Sequence, residues 1–264
     1  MDLKNLTLQT REIAKIAGDF IRQQKNKLSP DEIETKGIHD FVSYVDKTAE
    51  KMIVEALLKI LPEAGFITEE KTSTKKGEIY NWIIDPLDGT TNYIHKLSPF
   101  AVSIALMEKD EIILGVVYEI SLDECFYAYK GSKAFLNDKE ISVTKTKKVN
   151  DSLIATGFPY YDYDKMEPFM QTLDFFMKNS HGLRRLGSAA TDLVYVACGR
   201  FDAFYEYSLH AWDVAAGAFI VKQAGGKICD FKGENNFLFG KEIIASNSLI
   251  YSEFLKIIKN HLTN

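Results

Sequence analysis

Four apolar segments that follow one another closely between residues 80 and 131 constrain the fold more than any other feature of the sequence. They read YNWIID, PFAVSIALM, EIILGVVYEI and ECFYAYKG, and only the charged break EKDE separates the middle two. Runs rich in β-branched and aromatic residues between polar breaks are typical of β-strands. We therefore predict an antiparallel meander in the first half of the chain.

Two amphipathic helices are predicted ahead of this meander. Apolar residues recur at mostly helical spacing from Leu3 to Ile21. A second apolar face runs from about Asp46 to Leu61, with Pro62 just beyond it. The segment GFITEE, which comes next, predicts a short strand that ends in acidic residues.

The second half of the chain has a different pattern. The polar segment TKTKKVND at 144–151 interrupts the hydrophobic pattern, so we predict two halves, residues 1–146 and 147–264. Beyond it, the strand-like segments SLIATGF, FDAFYEY, KICDF and EIIASN alternate with helical stretches, and the helical segment AWDVAAGAFIVKQ is followed by a glycine pair. This alternation predicts an α/β second half.

Composition and charge narrow the class of protein. A chain of 264 residues that is 46% hydrophobic can bury a large core. The net charge of −5 gives no broad basic field, so we expect no direct, non-specific nucleic-acid binding. The longest apolar run, IILGVVY, is too short to cross a bilayer, and the first residues lack an apolar signal core. We therefore expect a cytoplasmic protein that does not span a membrane.

The cysteines do not form a recognisable site. Cys125, Cys198 and Cys229 are odd in number and lack close metal-ligand or redox spacing. We expect reduced thiols that fill the core.

The segment NWIIDPLDGTTNY, residues 81–93, carries the strongest functional signal. Its apolar strand delivers Asp85 at the end, and Pro86, which cannot donate to a continuing sheet, predicts a turn there. Gly89 allows close backbone approach. Thr90 and Thr91 are predicted to cap a short helix whose first N–H groups attract anions.

Two carboxylates beside such a helix start favour a metal site. Asp85 and Asp88 would repel an anion unless divalent cations lay between them. Mg²⁺ accepts acidic oxygen ligands together with a substrate phosphate.

Taken alone, each of these residues also has an ordinary structural interpretation. The pattern D-P-x-D-G is common in turns and helix caps, because Asp, Pro and Gly are favoured turn residues. An EF-hand loop fits less well, since its spaced oxygen ligands and terminal Glu do not follow. Glu69, next to Glu70, is also consistent with solvated surface, and Asp46 with a plain helix cap.

The segments WIIDPLDGTTNY and WDVAAG together resemble the paired signatures of the inositol monophosphatase family, within the superfamily of magnesium-dependent, lithium-sensitive phosphatases. Three more segments match in order. VDKTAEKMI resembles the family's Asp-bearing helix start, FITEE its acidic strand end, and RRLGSAATDLVYVACGRFDAFYE its central segment. The resemblance covers nearly the whole chain, and Arg184 and Arg185 are similar to those of bacterial members. It implies a layered αβαβα fold and a homodimer.

The resemblance also implies a metal site for two to three Mg²⁺ ions. One ion near Glu69 and Asp85 is implied to activate the attacking water, and a second is implied to stabilise the leaving oxygen. Asp213 opens a helix, where a carboxylate also suits the helix dipole. The implied ligands are the side chains of Glu69, Asp85, Asp88 and Asp213 and the backbone carbonyl of Leu87.

Catalytic and substrate contacts follow from the same resemblance. Thr90 is implied to orient the water, with Asp46 accepting from its hydroxyl, and Glu69 acts with them. Phosphate is implied to bind the N–H groups of Gly89, Thr90 and Thr91. Sugar hydroxyls are assigned to a second set of residues, namely Gly187, Ser188, Ala189, Ala190 and Glu206.

The implied activity is Mg²⁺-dependent hydrolysis of inositol monophosphate, with inhibition by lithium. Another small ester, such as fructose 1,6-bisphosphate or a nucleotide 3′-phosphate, is the alternative among enzymes. A regulatory binding protein with secondary phosphatase activity is the alternative from another class. Trp212 is expected to pack so that it fixes Asp213, and His210 is left without a role.

Overall fold

The computed structural model describes residues 1–25, 27, 33–37, 40–160 and 162–263. The chain opens with helix α1 (Leu3–Gln24), which Asp2 caps by accepting the N–H of Asn5. An antiparallel strand pair of β1 (Ile33–Gly37) and β2 (Asp40–Ser43) leads into helix α2 (Tyr44–Ile60). Both predicted helices are confirmed, whereas the β1–β2 pair has no counterpart among the predicted elements.

Seven strands form the larger sheet, and they lie along it in chain order. Only β3 and β4 are parallel, and each later strand pairs antiparallel with the one before it. The predicted meander is therefore confirmed. The sheet consists of β3 (Gly65–Thr68), β4 (Tyr80–Asp88), β5 (Ala101–Glu108), β6 (Glu111–Glu119), β7 (Glu124–Tyr129), β8 (Ala134–Leu136) and β9 (Lys139–Ile141), with helix α3 (Thr90–Ile94) between β4 and β5.

The second half builds a mixed sheet of five strands in the order β11-β10-β12-β14-β13. Strand β10 lies parallel to β11 and β12, and β14 lies antiparallel to β12 and β13. The elements are β10 (Leu153–Thr156), α4 (Met166–Asn179), β11 (Gly182–Arg184), α5 (Ala189–Ala197), β12 (Ala203–Tyr207), α6 (Ala211–Gln223), β13 (Lys227–Cys229), β14 (Glu242–Ser246) and α7 (Tyr251–Leu262).

Three apolar cores stack these elements into five layers. Helices α1 and α2 cover the outer face of the larger sheet. Helices α5 and α6 lie between the two sheets, where Ile83 and Val117 of one sheet and Phe204 and Ile243 of the other share one core with them. Helices α4 and α7 cover the outer face of the smaller sheet. This is the αβαβα sandwich that the sequence resemblance implies.

Small residues allow α6 to lie close to both of its neighbours. A side chain at Gly115 of β6 would come within 2.8 Å of the carbonyl of Ala216, and one at Gly217 within 2.7 Å of Leu193 in α5. Contacts below 3.0 Å are not sustained by real side chains. The small residues after Asp213 therefore set how closely α6 approaches β6 and α5.

The remaining expectations concern the boundary, the thiols and the membrane. The larger sheet ends at Ile141 and the smaller one begins at Leu153, and the division into halves between them stays a prediction. All three cysteines are free thiols, with Cys125 and Cys229 buried. Within the described ranges, none of the helices combines the length and apolar character needed to cross a bilayer.

Candidate active site

Parallel pairing of two strands brings the first two acidic residues together. Thr68 of β3 lies opposite Ile84 of β4, so Glu69 and Asp85 follow at the next position of each strand. The N–H of Glu69 donates to the carbonyl of Ile84 at 3.3 Å. Because the carboxyl ends of parallel strands meet at the same edge, residues far apart in sequence become neighbours here.

The structure corrects the prediction that the chain turns at Pro86. Strand β4 runs on to Asp88, with an irregularity in its pairing with β5 between Asp85 and Asp88. The Asp85 carboxylate accepts the N–H of Leu87 at 2.9 Å. The missing N–H of Pro86 is therefore accommodated by a bulge, which turns the following residues towards the cavity.

Asp88 lies at the N-terminus of helix α5. Its Oδ2 accepts the hydroxyl of Ser188 at 2.5 Å and the N–H of Ala190 at 2.8 Å. Burial raises the pKa of Asp88 to about 6, and the hydrogen bonds from Ser188 and the α5 backbone oppose this rise. Ser188 and Ala190, which the resemblance assigns to substrate hydroxyls, thus donate to Asp88 in this structure.

Asp213 is the third residue of α6, and it forms a capping box with His210. Its Oδ2 accepts the N–H of His210 at 2.6 Å, while the His210 side chain accepts the N–H of Asp213. The His210 ring stacks on Trp212 with centroids 4.6 Å apart. His210, left without a role in the sequence, is therefore the cap that orients Asp213.

Ser103 of β5 joins the start of α6 to the strand pair that contains Asp85. It lies opposite Asp85 in the pairing of β4 with β5. Its hydroxyl donates to the carbonyl of Trp212 at 3.2 Å. This hydrogen bond joins the start of α6 to the strand that pairs with Asp85, and the role predicted for the Trp212 side chain stays a prediction.

The carboxylates lie close enough to raise the pKa of their most buried member. Asp85 is 2% exposed. Burial raises its pKa well above the ordinary value, and the charges of Glu69, Asp88 and Asp213 raise it further. A buried cluster of like charge is costly unless it is protonated or neutralised by a cation.

The donor set fits Mg²⁺, because every candidate ligand offers a hard oxygen. Within the described part of the chain, no three acidic, histidine or cysteine side chains converge on one metal-binding point. Asp88 and Asp213 each accept a hydrogen bond from a backbone N–H at the start of a helix. Convergence of three side chains is not required, since Mg²⁺ commonly takes one or two carboxylates and completes its shell with water and phosphate.

Thr90 and Asp46 meet as the resemblance implies. The Thr90 hydroxyl lies 3.2 Å from Asp46 Oδ1 and 2.8 Å from the carbonyl of Leu87. Asp46 lies in the first turn of α2 and is 1% exposed. Helix α3 is capped by Gly89, with φ 90°, and no side chain caps it, which corrects the prediction that Thr90 and Thr91 do so.

Glu206 is the fourth residue of β12, which is buried along its whole length, and it is 7% exposed. Burial raises its pKa well above the ordinary value, the charges of Asp213 and Asp88 add to the rise, and Arg185 opposes it. Arg185 donates to the Tyr160 hydroxyl at 2.5 Å. Glu206, Arg185 and Tyr160 line the same cavity as Glu69.

One cavity of about 110 Å³ joins the predicted residues. Asp46 lies behind Thr90 and Ala190 behind Asp88, and neither lines it. The lining includes the other predicted site residues, namely Glu69, Asp85, Leu87, Asp88, Gly89, Thr90, Thr91, Gly187, Ser188, Ala189, Glu206 and Asp213, together with Tyr160, Arg185, Ser208, Leu209, His210 and Trp212.

Two supporting residues were missed by the sequence interpretation. Glu50 of α2 is fully buried and accepts the N–H groups of Glu70 and Thr72, so it holds the loop that follows Glu69. Asn92 donates to the carbonyls of Pro99 and Leu186, so it joins α3 to the segment before Gly187. No local pattern distinguishes either residue, because their partners lie 7 to 94 residues away.

Asp192 is a further acidic residue behind the cavity wall. It is 1% exposed, and neither carboxylate oxygen has a hydrogen-bond partner among the described residues. Burial raises its pKa well above the ordinary value, and the charges of Glu206 and Asp88 add to the rise. Glu206 and Asp192 are therefore two buried carboxyl groups whose charges interact with Arg185.

The chain is thus a five-layer αβαβα sandwich with an acidic cavity at the starts of its inner helices, α5 and α6. The model of the inositol monophosphatase family matches residues 2–263. The chain therefore belongs to the inositol monophosphatase family.

Individual relatives carry two kinds of name. A putative Nus factor SuhB from Neisseria meningitidis serogroup B is 40% identical over 250 residues, covering 94% of this chain and 96% of the relative. An inositol-1-monophosphatase from Mesorhizobium japonicum is 38% identical over 248 residues, covering 94% and 93%. The crystal structure of the extragenic suppressor protein suhB from Bartonella henselae has a TM-score of 0.91 and 38% identity, covering 97% and 98%.

Proposed function

We propose that this protein is a Mg²⁺-dependent phosphatase that hydrolyses inositol monophosphate to inositol and phosphate. The observation that carries the proposal is the burial of Asp85 among Glu69, Asp88 and Asp213 in a cavity. Like charges held this closely favour a cation, and a dianionic phosphate ester is attracted only once they are neutralised. The naming of relatives as inositol-1-monophosphatase supports the choice of ester.

The proposed metal ligands are the residues around this buried charge. Glu69, Asp85, Asp88, Asp213 and the carbonyl of Leu87 would hold two to three Mg²⁺ ions. When bound, Mg²⁺ supplies charge neutralisation of the phosphate and leaving oxygens and lowers the pKa of water.

The protein's own groups are proposed to orient the water and hold the phosphate. The Thr90 hydroxyl has one hydrogen, so it donates either to Asp46 or to the Leu87 carbonyl. Donation to Asp46 leaves its oxygen able to accept a hydrogen from the attacking water, which this contact orients. The first turn of α3, from Gly89 to Thr91, offers N–H groups to the phosphate oxygens.

Glu206 is proposed to determine the specificity for the alcohol part of the phosphate ester. It lines the same cavity as Glu69 and comes from β12. A carboxylate can accept hydrogen bonds from two neighbouring hydroxyls, which an inositol ring supplies. Gly187, Ser188 and Ala189 line the adjoining wall.

A panel of purified esters tests this proposal. Phosphate release is measured from inositol 1-phosphate, fructose 1,6-bisphosphate and a nucleotide 3′-phosphate, each with Mg²⁺ and with EDTA. The proposal expects Mg²⁺-dependent release, with inositol 1-phosphate giving the highest kcat/KM. Higher kcat/KM for either other ester would move the assignment to that substrate, and equal release in EDTA would remove the metal from the mechanism.

A second function rests on the names of relatives. Proteins from Neisseria meningitidis, Pseudomonas aeruginosa and Escherichia coli that match nearly the whole chain are named Nus factors or putative Nus factors. We infer a regulatory binding role as the second candidate. Substitution of Asp213 separates the two functions, because a binding role that needs no catalysis should survive it.

Homodimer formation and a cytoplasmic location stay predictions, as does the lack of direct nucleic-acid binding. Light scattering of the purified protein measures the first. The expected result is a particle mass of about twice the chain mass of 29.9 kDa.

A further inference from the structure

We propose that Gly157 is a positioning residue for Glu206, and that the absence of a side chain at position 157 is what allows this site to accept a polyol phosphate. The inference rests on the proposed function, in which Glu206 contacts the substrate hydroxyls. Gly157 directly follows strand β10 and is buried.

The pairing of two strands places these residues side by side. Strands β10 and β12 are parallel, with Ala155 opposite Phe204 and Thr156 opposite Tyr205. The Thr156 hydroxyl donates to the carbonyl of Tyr205 at 2.8 Å, which fixes this register at its last position. Gly157 and Glu206 are the next residues of each strand.

Side-chain alternation directs Glu206 to the inner face of the sheet. Phe204 and Ala155 belong to the core shared with α5 and α6, whereas Tyr205 and Ile154 belong to the outer core. Glu206 lies two residues after Phe204 and therefore points the same way. Its carboxylate lies over Gly157.

A side chain at position 157 would collide with the Glu206 carboxylate where it now lies. A Cβ atom built on Gly157 would lie 2.0 Å from Cδ and Oε1 of Glu206 and 2.1 Å from Oε2. The backbone does not itself require glycine, because φ of Gly157 lies outside the left-handed region. The carboxylate of Glu206 would therefore have to move if position 157 carried a Cβ.

Nothing else in the described residues anchors the Glu206 carboxylate by a hydrogen bond. The carboxylate lies against Gly157 and interacts with the charges of Asp213, Asp88, Arg185 and Asp192. A long side chain without a hydrogen-bonded anchor rotates at little cost. A methyl group at position 157 should therefore displace the carboxylate while leaving the fold intact.

A double-mutant cycle tests the proposal. Wild type, Gly157→Ala, Glu206→Gln and the double variant are compared by kcat/KM for inositol 1-phosphate and for 4-nitrophenyl phosphate at one Mg²⁺ concentration. Gly157→Ala is expected to lower the inositol 1-phosphate value at least about tenfold and to lower the ratio of the two substrates. The double variant is expected to be no worse than Glu206→Gln alone, because both changes remove one contact.

The matched control is Gly131→Ala. A Cβ at Gly131 has nothing within 4 Å, although its φ of 87° makes the substitution strained. This control is expected to lower the unfolding midpoint while leaving both kinetic values near wild type. Gly157→Ala should show the reverse, with altered substrate ratio and a midpoint near wild type.

The outcomes distinguish an incorrect role of Gly157 from an incorrect substrate contact of Glu206. If Glu206→Gln lowers the ratio and Gly157→Ala does not, the role of Gly157 is wrong and the substrate contact stands. If Glu206→Gln has no effect, the proposed contact of Glu206 is wrong, and the role of Gly157 fails with it. If the effects of the two changes add, Gly157 acts on something other than Glu206, which also overturns the proposal.

If Gly157→Ala is too unstable for kinetic measurements, a second pair of variants tests the same contact. Glu206→Ala removes the atoms with which the new methyl group collides. The combination of Gly157→Ala with Glu206→Ala is then expected to recover the midpoint of Glu206→Ala alone. A combination as unstable as Gly157→Ala alone would overturn the proposal.

Discussion

Glu50 accepts the backbone N–H of Glu70 at 2.7 Å, so a buried carboxylate on α2 holds the residue next to a proposed metal ligand. The same side chain accepts the N–H of Thr72 at 2.9 Å and its hydroxyl at 2.8 Å. Since Glu69 leaves strand β3 directly into this loop, the position of its carboxylate depends on Glu50. The proposed metal site thus has a supporting residue that is not among its proposed ligands.

Replacement of Glu50 by Gln should weaken this support. The amide nitrogen of Gln cannot accept a hydrogen bond, so at least one donor of the loop loses its partner. We expect a loss of about 1 to 3 kcal/mol in the free energy of unfolding and a higher Mg²⁺ concentration for half-maximal activity. Urea denaturation and a Mg²⁺ titration measure the two effects.

The control for this variant is Glu55→Gln, on the same helix but exposed. It should change the unfolding free energy by less than about 0.5 kcal/mol. An unchanged Mg²⁺ dependence in Glu50→Gln would show that the loop holds Glu69 without Glu50.

Replacement of Asp213 by Asn should separate folding from activity. The Asn carbonyl can still accept the His210 N–H that Asp213 Oδ2 accepts at 2.6 Å, so the helix cap is retained. The lost charge should weaken the metal site and cost several kcal/mol of transition-state stabilisation, or about a hundredfold or more in kcat. Steady-state kinetics and circular dichroism measure both properties.

The exposed Asp174 of α4 offers the matched control, as Asp174→Asn. It should retain wild-type kinetics. Normal turnover by Asp213→Asn in Mg²⁺ would remove Asp213 from the mechanism.

Removal of divalent metal should destabilise the protein. Burial raises the pKa of Asp85 well above its ordinary value, and repulsion from the charges of Glu69, Asp88 and Asp213 raises it further. A cation that binds only the folded state stabilises it by about 2.7 kcal/mol at a concentration one hundred times its Kd. Thermal unfolding in Mg²⁺ should therefore have a higher midpoint than unfolding in EDTA.

Asp85→Asn should not lower the unfolding temperature of the metal-free protein, and it can raise it. Loss of a buried charge relieves the repulsion, so the metal-free variant should unfold at a temperature equal to or above that of metal-free wild type. Its response to Mg²⁺ should be smaller than that of wild type. An equal Mg²⁺ response in the two proteins would exclude Asp85 as a ligand.

The contact between Arg11 and Asp138 should make part of the stability depend on acid pH. Hydrogen bonds from Arg11 and then Tyr127 lower the pKa of Asp138 from 3.8 to about 2. Asp138 is therefore protonated at a lower pH in the folded state than in the unfolded state. This contribution is present above about pH 4 and is lost as the pH falls from about 4 to 2.

Comparison of wild type with Asp138→Asn measures this contribution. The Asp138 side chain is 69% exposed, so the difference at pH 6 should stay below about 1 kcal/mol and should disappear near pH 2. Asn tolerates the positive φ of 68° at this position. Asp110→Asn is the control at an exposed acid, and a pH-independent difference for Asp138→Asn would contradict the assignment.

The sequence by itself determined the elements whose patterns are local. The helical face of α1 and the apolar runs of β4 to β7 could be predicted because each pattern is complete within one segment. The set of candidate oxygen ligands could also be named, since Asp85, Asp88 and Asp213 stand in recognisable motifs.

Only the tertiary structure decided how those residues are arranged, because the contacts join segments distant in the chain. Parallel pairing puts Glu69 beside Asp85, and the start of α5 supplies donors to Asp88 from about one hundred residues away. Nothing in the segment ATGFPYY indicates that the carboxylate of Glu206 lies against Gly157. Such positions follow from strand register and layer packing, which depend on all the layers at once.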